Sequence, residues 1–361
     1  MTRCMRLLIA LTVGSTIPCI AFAAEGFDLS FGGTLAQSRS GNDLPAGPRQ
    51  YTLQPSINNT FGVMQSDVGI RYKQRDLQAT VVFQQGWFAD ANYVGDDAKY
   101  RMVQQAWLSI DVTPRIALRA GIMPSHLGYE SINERENLVL SRLLCSDATP
   151  YYETGAAIVW QPTDVLTVEG LALTGWQRIV ATNDNIAWGT RIAWKPDTTL
   201  TLNWSTFYGN MADRNKFWQP DAPNANPGWR FYNNVWAEWK PTPRLTLVGI
   251  ADVGQQQYVA RTTATTWCLA AITAFRLHPD WRLAARIEHF SDPESAMVAT
   301  PEAIGFVTSS ASANIDWNVR RNVMVRAEVR TLGSADRIFP SAEGLTTSET
   351  FATVSVSFTL P

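Results

Sequence analysis

Sixteen short stretches of this chain alternate between apolar and polar residues, and a period of two is the signature of extended backbone with two unlike faces. They lie near 27–38, 60–72, 77–89, 100–112, 116–126, 151–160, 165–175, 187–194, 199–210, 229–239, 244–257, 264–277, 281–290, 304–317, 322–332 and 348–360. The connections alternate strictly between short and long. The short ones are 73–76, 113–115, 161–164, 195–198, 240–244, 278–280 and 318–322, and five of the seven carry proline, which favours a turn over continued strand. The long ones are 39–59, 90–99, 127–150, 176–186, 211–228, 258–263, 291–303 and 333–347. An even number of strands, with tight turns at one end and long loops at the other, predicts an all-β fold. The form is an antiparallel up-and-down barrel with both termini on the short-turn side.

Alternation alone does not say which face points outward. Each segment has one plainly apolar face, such as Leu200-Leu202-Trp204 or Val323-Val325-Ala327-Val329, and an opposite face that is often charged. A water-soluble barrel would put the apolar face inside. Here the first 23 residues have a basic start at Arg3 and Arg6, an apolar middle from Leu7 to Val13, and Ala21-Phe-Ala23, which reads as a cleaved export signal. Pro18 stands where a lipoprotein signal needs a small residue before Cys19, so lipid attachment is disfavoured. Fourteen Trp and ten Tyr suit rings at membrane interfaces, with Trp188 and Trp194 at the two ends of one segment. Lipid outside and water inside is therefore the expected arrangement. After the leader 1–23, residues 24–361 form one transmembrane barrel domain in this reading. No stretch beyond the leader is long and apolar enough for a spanning helix. A net charge of −2 with 45% hydrophobic residues gives no nucleic-acid footprint and no disorder signature.

The regular alternation is broken longest between the fifth and sixth segments. About 24 residues separate them, too many for a hairpin turn, and the apolar spacing over 137–144 predicts a helical patch. The expectation is a loop that folds back into the barrel and narrows it. The run Gly128-Tyr-Glu-Ser131, then Asn137, Ser141-Arg142 and Pro150-Tyr-Tyr-Glu-Thr-Gly155 resembles the central block of the OmpL-like beta-barrel porins. More of that pattern follows in 203–210, 230–233 and 291–294. The resemblance covers the chain from about residue 58 onward and implies an outer-membrane barrel that passes small solutes, with no fixed set of binding residues to carry over. One departure is the chain end, Phe358-Thr-Leu-Pro361, where such barrels usually finish on an aromatic residue.

With the apolar parity assigned to lipid, the opposite positions line the lumen. They include Arg71, Arg101, Arg119, Arg191, Arg230, Arg282, Arg286, Arg326 and Arg330, together with Asp67, Glu169, Glu238, Asp252, Glu288 and Glu328. Charges on pore walls act on permeating ions, or they neutralise one another across neighbouring strands. The loop adds Glu130, Glu134, Glu136 and Asp147 against Arg135 and Arg142, an acidic set that would face an arginine-bearing wall across a constriction. Trp107, Tyr232 and Trp236 offer either a stacking track for sugars or simple wall filling. Cys145 and Cys268 are the two cysteines outside the leader and read either as a bridge from loop to wall or as two free thiols. Three scattered histidines, His126, His278 and His289, with no G-x-S-x-G or H-E-x-x-H run, give no catalytic or metal cluster.

The function expected is that of an outer-membrane porin of a Gram-negative cell. Its water-filled channel would allow passive transport of small hydrophilic solutes and ions, with loop 127–150 as constriction. Neither enzyme activity nor a cofactor is implied. The partners are membrane lipid, the solutes and further copies in a homo-oligomer, and nucleic acid is not among them. The alternative is a structural or surface-interaction barrel with an occluded lumen, acting through outer loops such as 39–59 and 211–228.

Overall fold

The computed structural model describes residues 26–212, 227–258, 262–301 and 304–360. The leader expected at 1–23 and most of the 211–228 connection lie outside the described residues. Sixteen strands form the barrel. The first half consists of β1 (Gly26–Ser40), β2 (Thr60–Gln74), β3 (Leu77–Gln85), β4 (Val103–Thr113), β5 (Ile116–Pro124), β6 (Tyr152–Thr163), β7 (Leu166–Leu173) and β8 (Ala187–Trp194). The second half consists of β9 (Leu200–Asn210), β10 (Pro227–Thr242), β11 (Leu245–Tyr258), β12 (Thr263–His278), β13 (Trp281–Asp292), β14 (Phe306–Arg320), β15 (Val323–Ser334) and β16 (Ser348–Leu360).

Each strand pairs antiparallel with its neighbours in sequence. The ring closes where β1 meets β16, from Phe31 opposite Leu360 to Ser40 opposite Phe351. Closure satisfies every strand edge, the condition for backbone to cross a medium without water. The number and places of the strands match the period-two pattern.

Side-chain parity gives the barrel an apolar exterior. Along β12 exposed and buried residues alternate from Thr263 to Ala274, with Trp267, Leu269 and Ala271 outside and Cys268, Ala270 and Ile272 inside. Leu29, Ile70, Leu118, Ile158, Ile287 and Val329 are exposed on other strands, while Glu169, Arg286, Arg326 and Glu328 are buried on the inner face. This is the inverse of a water-soluble barrel, and an arginine moved to the outer face at mid-bilayer would cost about 2–4 kcal/mol. Trp188 and Trp194 are both exposed at opposite ends of β8, and Trp281 stacks on Trp317 with ring centroids 5.4 Å apart, as interfacial girdles require.

Long connections gather at one end of the barrel and carry the little structure that is not barrel. Residues 47–48 pair with 57–58, and residues 339–341 pair with 344–346. Two short helices are α1 (Trp87–Asn92) and α2 (Leu144–Ala148), the second within the connection from β5 to β6. Near the start of that connection Gly121 has φ of 130°, and a Cβ there would fall 2.1 Å from the Ala106 carbonyl oxygen. Only glycine lets β5 bend so close to β4 before the chain leaves the wall.

The helical patch expected over 137–144 is not there. Among these residues only Leu144 is helical, at the start of α2, and a single 3-10 turn, Glu134–Glu136, precedes them. The reason lies in where the backbone donors go. Leu140 N–H donates to Asn314 Oδ1 (3.3 Å), Ser141 N–H to Glu328 Oε2 (2.5 Å), Leu143 N–H to Glu130 Oε2 (2.8 Å) and Leu144 N–H to Glu288 Oε2 (2.7 Å). Side-chain acceptors, three of them on the wall, take the bonds that a helix would have made to its own carbonyls.

Candidate functional site

The inward faces of the strands and residues 125–151 together form the candidate site. Ser205 Oγ on β9 donates to the His126 carbonyl oxygen (2.7 Å), Gly128 N–H donates to Asn234 Oδ1 on β10 (3.1 Å), and the Tyr129 hydroxyl donates to Glu238 Oε2 (2.7 Å). Further along, the Thr34 hydroxyl on β1 donates to Glu134 Oε1 (2.9 Å), and the Arg135 guanidinium donates to the Ser357 carbonyl oxygen on β16 (3.2 Å). The connection thus bonds to an arc of wall running from β9 through β16 to β1.

Four arginines on β13 and β15 do most of the holding. Arg326 donates to Glu134 Oε2 (2.8 Å), to the Glu134 carbonyl oxygen (2.6 Å), to the Asn137 carbonyl oxygen (2.8 Å) and to Asp316 Oδ1 on β14 (2.8 Å). Arg282 bonds to Asp316 Oδ2 (2.7 Å) and to the Asn137 carbonyl oxygen (3.0 Å). Arg286 donates to the Ser141 carbonyl oxygen (2.7 Å) and hydroxyl (2.8 Å), and that hydroxyl in turn donates to Glu328 Oε1 (2.8 Å). Arg330 reaches the Arg142 carbonyl oxygen (2.8 Å) and Glu288 Oε1 (2.7 Å). Arg286, Arg326 and Arg330 are fully buried among these partners.

The loop's own charges are buried as well. Arg142 donates to Gln54 Oε1 (2.7 Å) and to the carbonyls of Ser131 and Ile132, with its guanidinium carbon 4.6 Å from the Tyr151 ring centre. Burial pushes the Glu130 carboxyl above its ordinary value, against the pull of Arg286 and Arg142. Burial also pushes the Asp147 carboxyl up to about 7, although Leu53 N–H donates to it (3.1 Å). Glu136 instead lies beside open space and accepts from the Ser131 hydroxyl (2.6 Å).

His126 braces the loop where it leaves β5. Nδ1 lies 2.7 Å from Glu153 Oε2 and Nε2 lies 2.7 Å from the Thr206 carbonyl oxygen, so both ring nitrogens face acceptors. Burial acts to lower its pKa, but the Glu153 carboxylate, its hydrogen bond and the Thr206 carbonyl outweigh it and hold the ring above its ordinary value. Gly189 makes room for it, since a Cβ there would sit 2.7 Å from the imidazole.

The opposite arc of wall is not covered in this way. Between the loop and strands β2–β4 and β8 lies a polar cavity of about 140 Å³, bordered by Asp67, Arg71, Gln104, Gln105, Arg191 and the loop's Glu136. Arg191 pairs with Glu169 (3.1 Å), and Arg119 lies with its guanidinium carbon 5.2 Å from the Trp107 ring centre. A second small cavity of about 60 Å³, bordered by Lys73, Gln78, Ser109 and Arg119, opens at the short-turn end. At the long-loop end a mostly apolar cavity of about 660 Å³ is bordered by Tyr51, Leu53, Trp87, Leu144, Met297 and Phe306.

The sequence-derived lumen set needs one correction in place and several in state, since Arg286, Arg326 and Arg330 are buried against the loop. Arg101 is not on a strand: β4 begins at Val103, and the Arg101 guanidinium bonds back to the Asp96 carbonyl oxygen (3.2 Å) in the long connection. Arg230 is on the inner face but capped, donating to Gln256 Oε1 (3.0 Å) and to the Ala296 carbonyl oxygen (3.1 Å). Tyr232 and Trp236 are buried, Tyr232 donating to Asp252 Oδ2 (2.9 Å) and Trp236 packing edge-on to Tyr129, so neither offers a stacking face. Sequence reading missed Asn314 and Asp316, which the inward parity of β14 marks, and Glu153, which the inward parity of β6 marks. Among the described residues no group of His, Cys, Asp and Glu could hold a metal. Asp292 turns away from His289, its carboxylate accepting from Ala296, Met297 and Val298 N–H groups.

A sixteen-stranded closed barrel, apolar outside and charged inside, is the architecture of the outer-membrane porins. Residues 29–360 match the beta-barrel porin-2 family, described as OmpL-like, and the chain belongs to that family. No curated protein matches the chain by sequence. In fold it is similar to OmpT of Vibrio cholerae, at 9% identity with a TM-score of 0.59, over 98% of this chain and 100% of that one. It is also similar to the anion-selective porin of Comamonas acidovorans, at 10% identity with a TM-score of 0.59, over 93% and 100% of the two chains. A third similar structure is the outer-membrane channel DcaP of Acinetobacter baumannii, at 9% identity with a TM-score of 0.58, over 92% and 97%.

Proposed function

We propose that this protein is a non-enzymatic outer-membrane channel for passive diffusion of small hydrophilic solutes and ions, narrowed by residues 127–150. The observation that supports it is the asymmetric seating of the loop. It is bonded to the arc from β9 to β1 and leaves a polar space against β2–β4 and β8, bordered by Arg71, Arg191, Asp67 and Glu136. Charges of both signs across a narrow polar gap orient a dipolar solute, and an apolar solute there would have to displace water held by those groups.

Export through a cleaved leader ending at Ala23 and assembly into a homo-oligomer belong to the same reading. A trimer form is recorded for Vibrio cholerae OmpT, whose fold this chain shares.

Purified protein in a planar bilayer tests the proposal. Discrete conductance steps are expected, and deletion of residues 131–146 should enlarge them. A correctly folded deletion variant with unchanged conductance would remove the loop from the conduction path. A protein silent both with and without the loop would favour the occluded barrel instead.

A further inference from the structure

We propose that Cys145 and Cys268 form a disulfide that ties the second half of the inserted loop to the barrel wall. Cys145 lies in α2 and Cys268 is an inward-facing residue of β12, so the pair links loop to wall across a long separation in sequence. Both are buried in one apolar cluster with Trp236, Ile250 and Phe290, where each is a free thiol lying beside the other in this structure. They are also the two cysteines outside residues 1–23.

The loop gives such a bond a purpose. Residues 128–144 are held by hydrogen bonds and ion pairs to wall side chains, the last of them from Leu144 N–H to Glu288. Beyond Leu144 the loop bonds to other connections: Leu53 N–H donates to Asp147 Oδ2, and Tyr151 N–H donates to Gln177 Oε1. The two sulfurs are where α2 meets the wall. The charged side chains beside the pair, Asp252 and Glu288, are carboxylates and disfavour a thiolate there, and among the described residues no metal-binding group is present.

The compartment supplies the chemistry. A porin-family barrel reaches its membrane through the periplasm, which favours disulfides. The oxidant is a protein or small-molecule disulfide of that compartment. One cysteine thiolate of the exported chain attacks it and releases one of its sulfurs as a thiolate, giving a mixed disulfide. The other cysteine thiolate then displaces the second oxidant sulfur. Two electrons and two protons pass to the oxidant, whose two sulfurs leave as thiols, and one sulfur–sulfur bond joins residues 145 and 268. In the seated loop the contact with Cys268 and burial both push the Cys145 thiol up, which makes it a poor nucleophile. Both thiols are buried once the loop is seated, out of reach of the oxidant, so the exchange precedes seating.

The test uses protein isolated from outer membranes with iodoacetamide present throughout, then unfolded with fresh iodoacetamide but no reductant. Peptide mapping should recover a peptide holding Cys145 joined to one holding Cys268, separable by reductant. Recovery of both cysteines alkylated, or of either joined to another thiol, overturns the proposal. For the latch role, hydrogen exchange is compared between the native protein and the Cys145→Ser, Cys268→Ser double variant. Faster exchange at residues 144–149 with 131–142 unchanged is the expected result, and equal exchange at 144–149 overturns that role. Neither readout depends on conductance, so the pore assignment can fail without affecting them.

Discussion

Two arcs of the same barrel wall carry arginines on their inner faces and use them differently. On β13 and β15, Arg282, Arg286, Arg326 and Arg330 are locked to Asp316, Glu288, Glu328, Glu134 and loop carbonyls. On β2, β5 and β8, Arg71, Arg119 and Arg191 border the space the loop leaves. The residue type and the parity are the same, but one set holds the loop and the other borders the polar space beside it. What separates them is the position of the loop. Charge counted along a strand therefore does not give the charge that a permeating ion meets. Arg282 and Arg286 already have carboxylate partners in Asp316, Glu288 and Glu328.

Removing an anchor should have the largest effect. Arg326→Met leaves Glu134 buried without its cation and Asp316 with Arg282 alone, a loss on the order of 3–5 kcal/mol. The temperature at which the folded barrel converts to the unfolded form on a gel should fall well below that of the parent, whereas Arg71→Met should leave it nearly unchanged. Equal shifts for the two would erase the distinction between the arcs.

Acidity should act next, through Asp147. Its folded-state pKa of about 7 lies above the ordinary value of 3.8, so the unfolded chain loses this proton first as pH rises. Stability from this group is therefore greatest below about pH 4 and declines as pH climbs to about 7. Asp147→Asn should flatten that part of the stability-against-pH curve measured by chemical denaturation. A curve of unchanged slope would mean that the carboxyl is already ionised in the folded protein.

Ion selectivity should change more modestly. Arg71→Gln is expected to move the reversal potential across a salt gradient toward cation preference, more at low salt than at high because charges are screened over about 8 Å at physiological ionic strength. Arg282→Gln should act mainly on stability. A larger selectivity shift from Arg282 than from Arg71 would reverse the assignment of the arcs.

The smallest effect is a labelling contrast. Cysteine at Arg71 should react with a small charged thiol reagent in intact membranes, and cysteine at Ile70, exposed on the outer face, should not. Cysteine at Arg326 should stay silent until residues 131–146 are deleted, since the loop covers that position.

Much of this molecule is written in short-range pattern. Alternation sets which side chains face out at Leu269 and in at Cys268, proline marks five of the short turns, and strand parity places Arg286, Arg326 and Glu328 on the lumen side. These are local signals, because neighbouring residues on a strand must point to opposite faces whatever the rest of the chain does. Tertiary contact decided the rest. Apolar spacing over 137–144 favoured a helix until carboxylates and an amide on the wall took its backbone donors, and the turn before β4 carried Arg101 off the wall. The loop's seat against β9–β1 fixes which arginines are covered. It depends on Glu134 meeting Arg326 and Ser141 meeting Glu328, residues nearly two hundred positions apart in sequence. Periodicity gives a side chain its direction, and only the folded barrel gives it a partner.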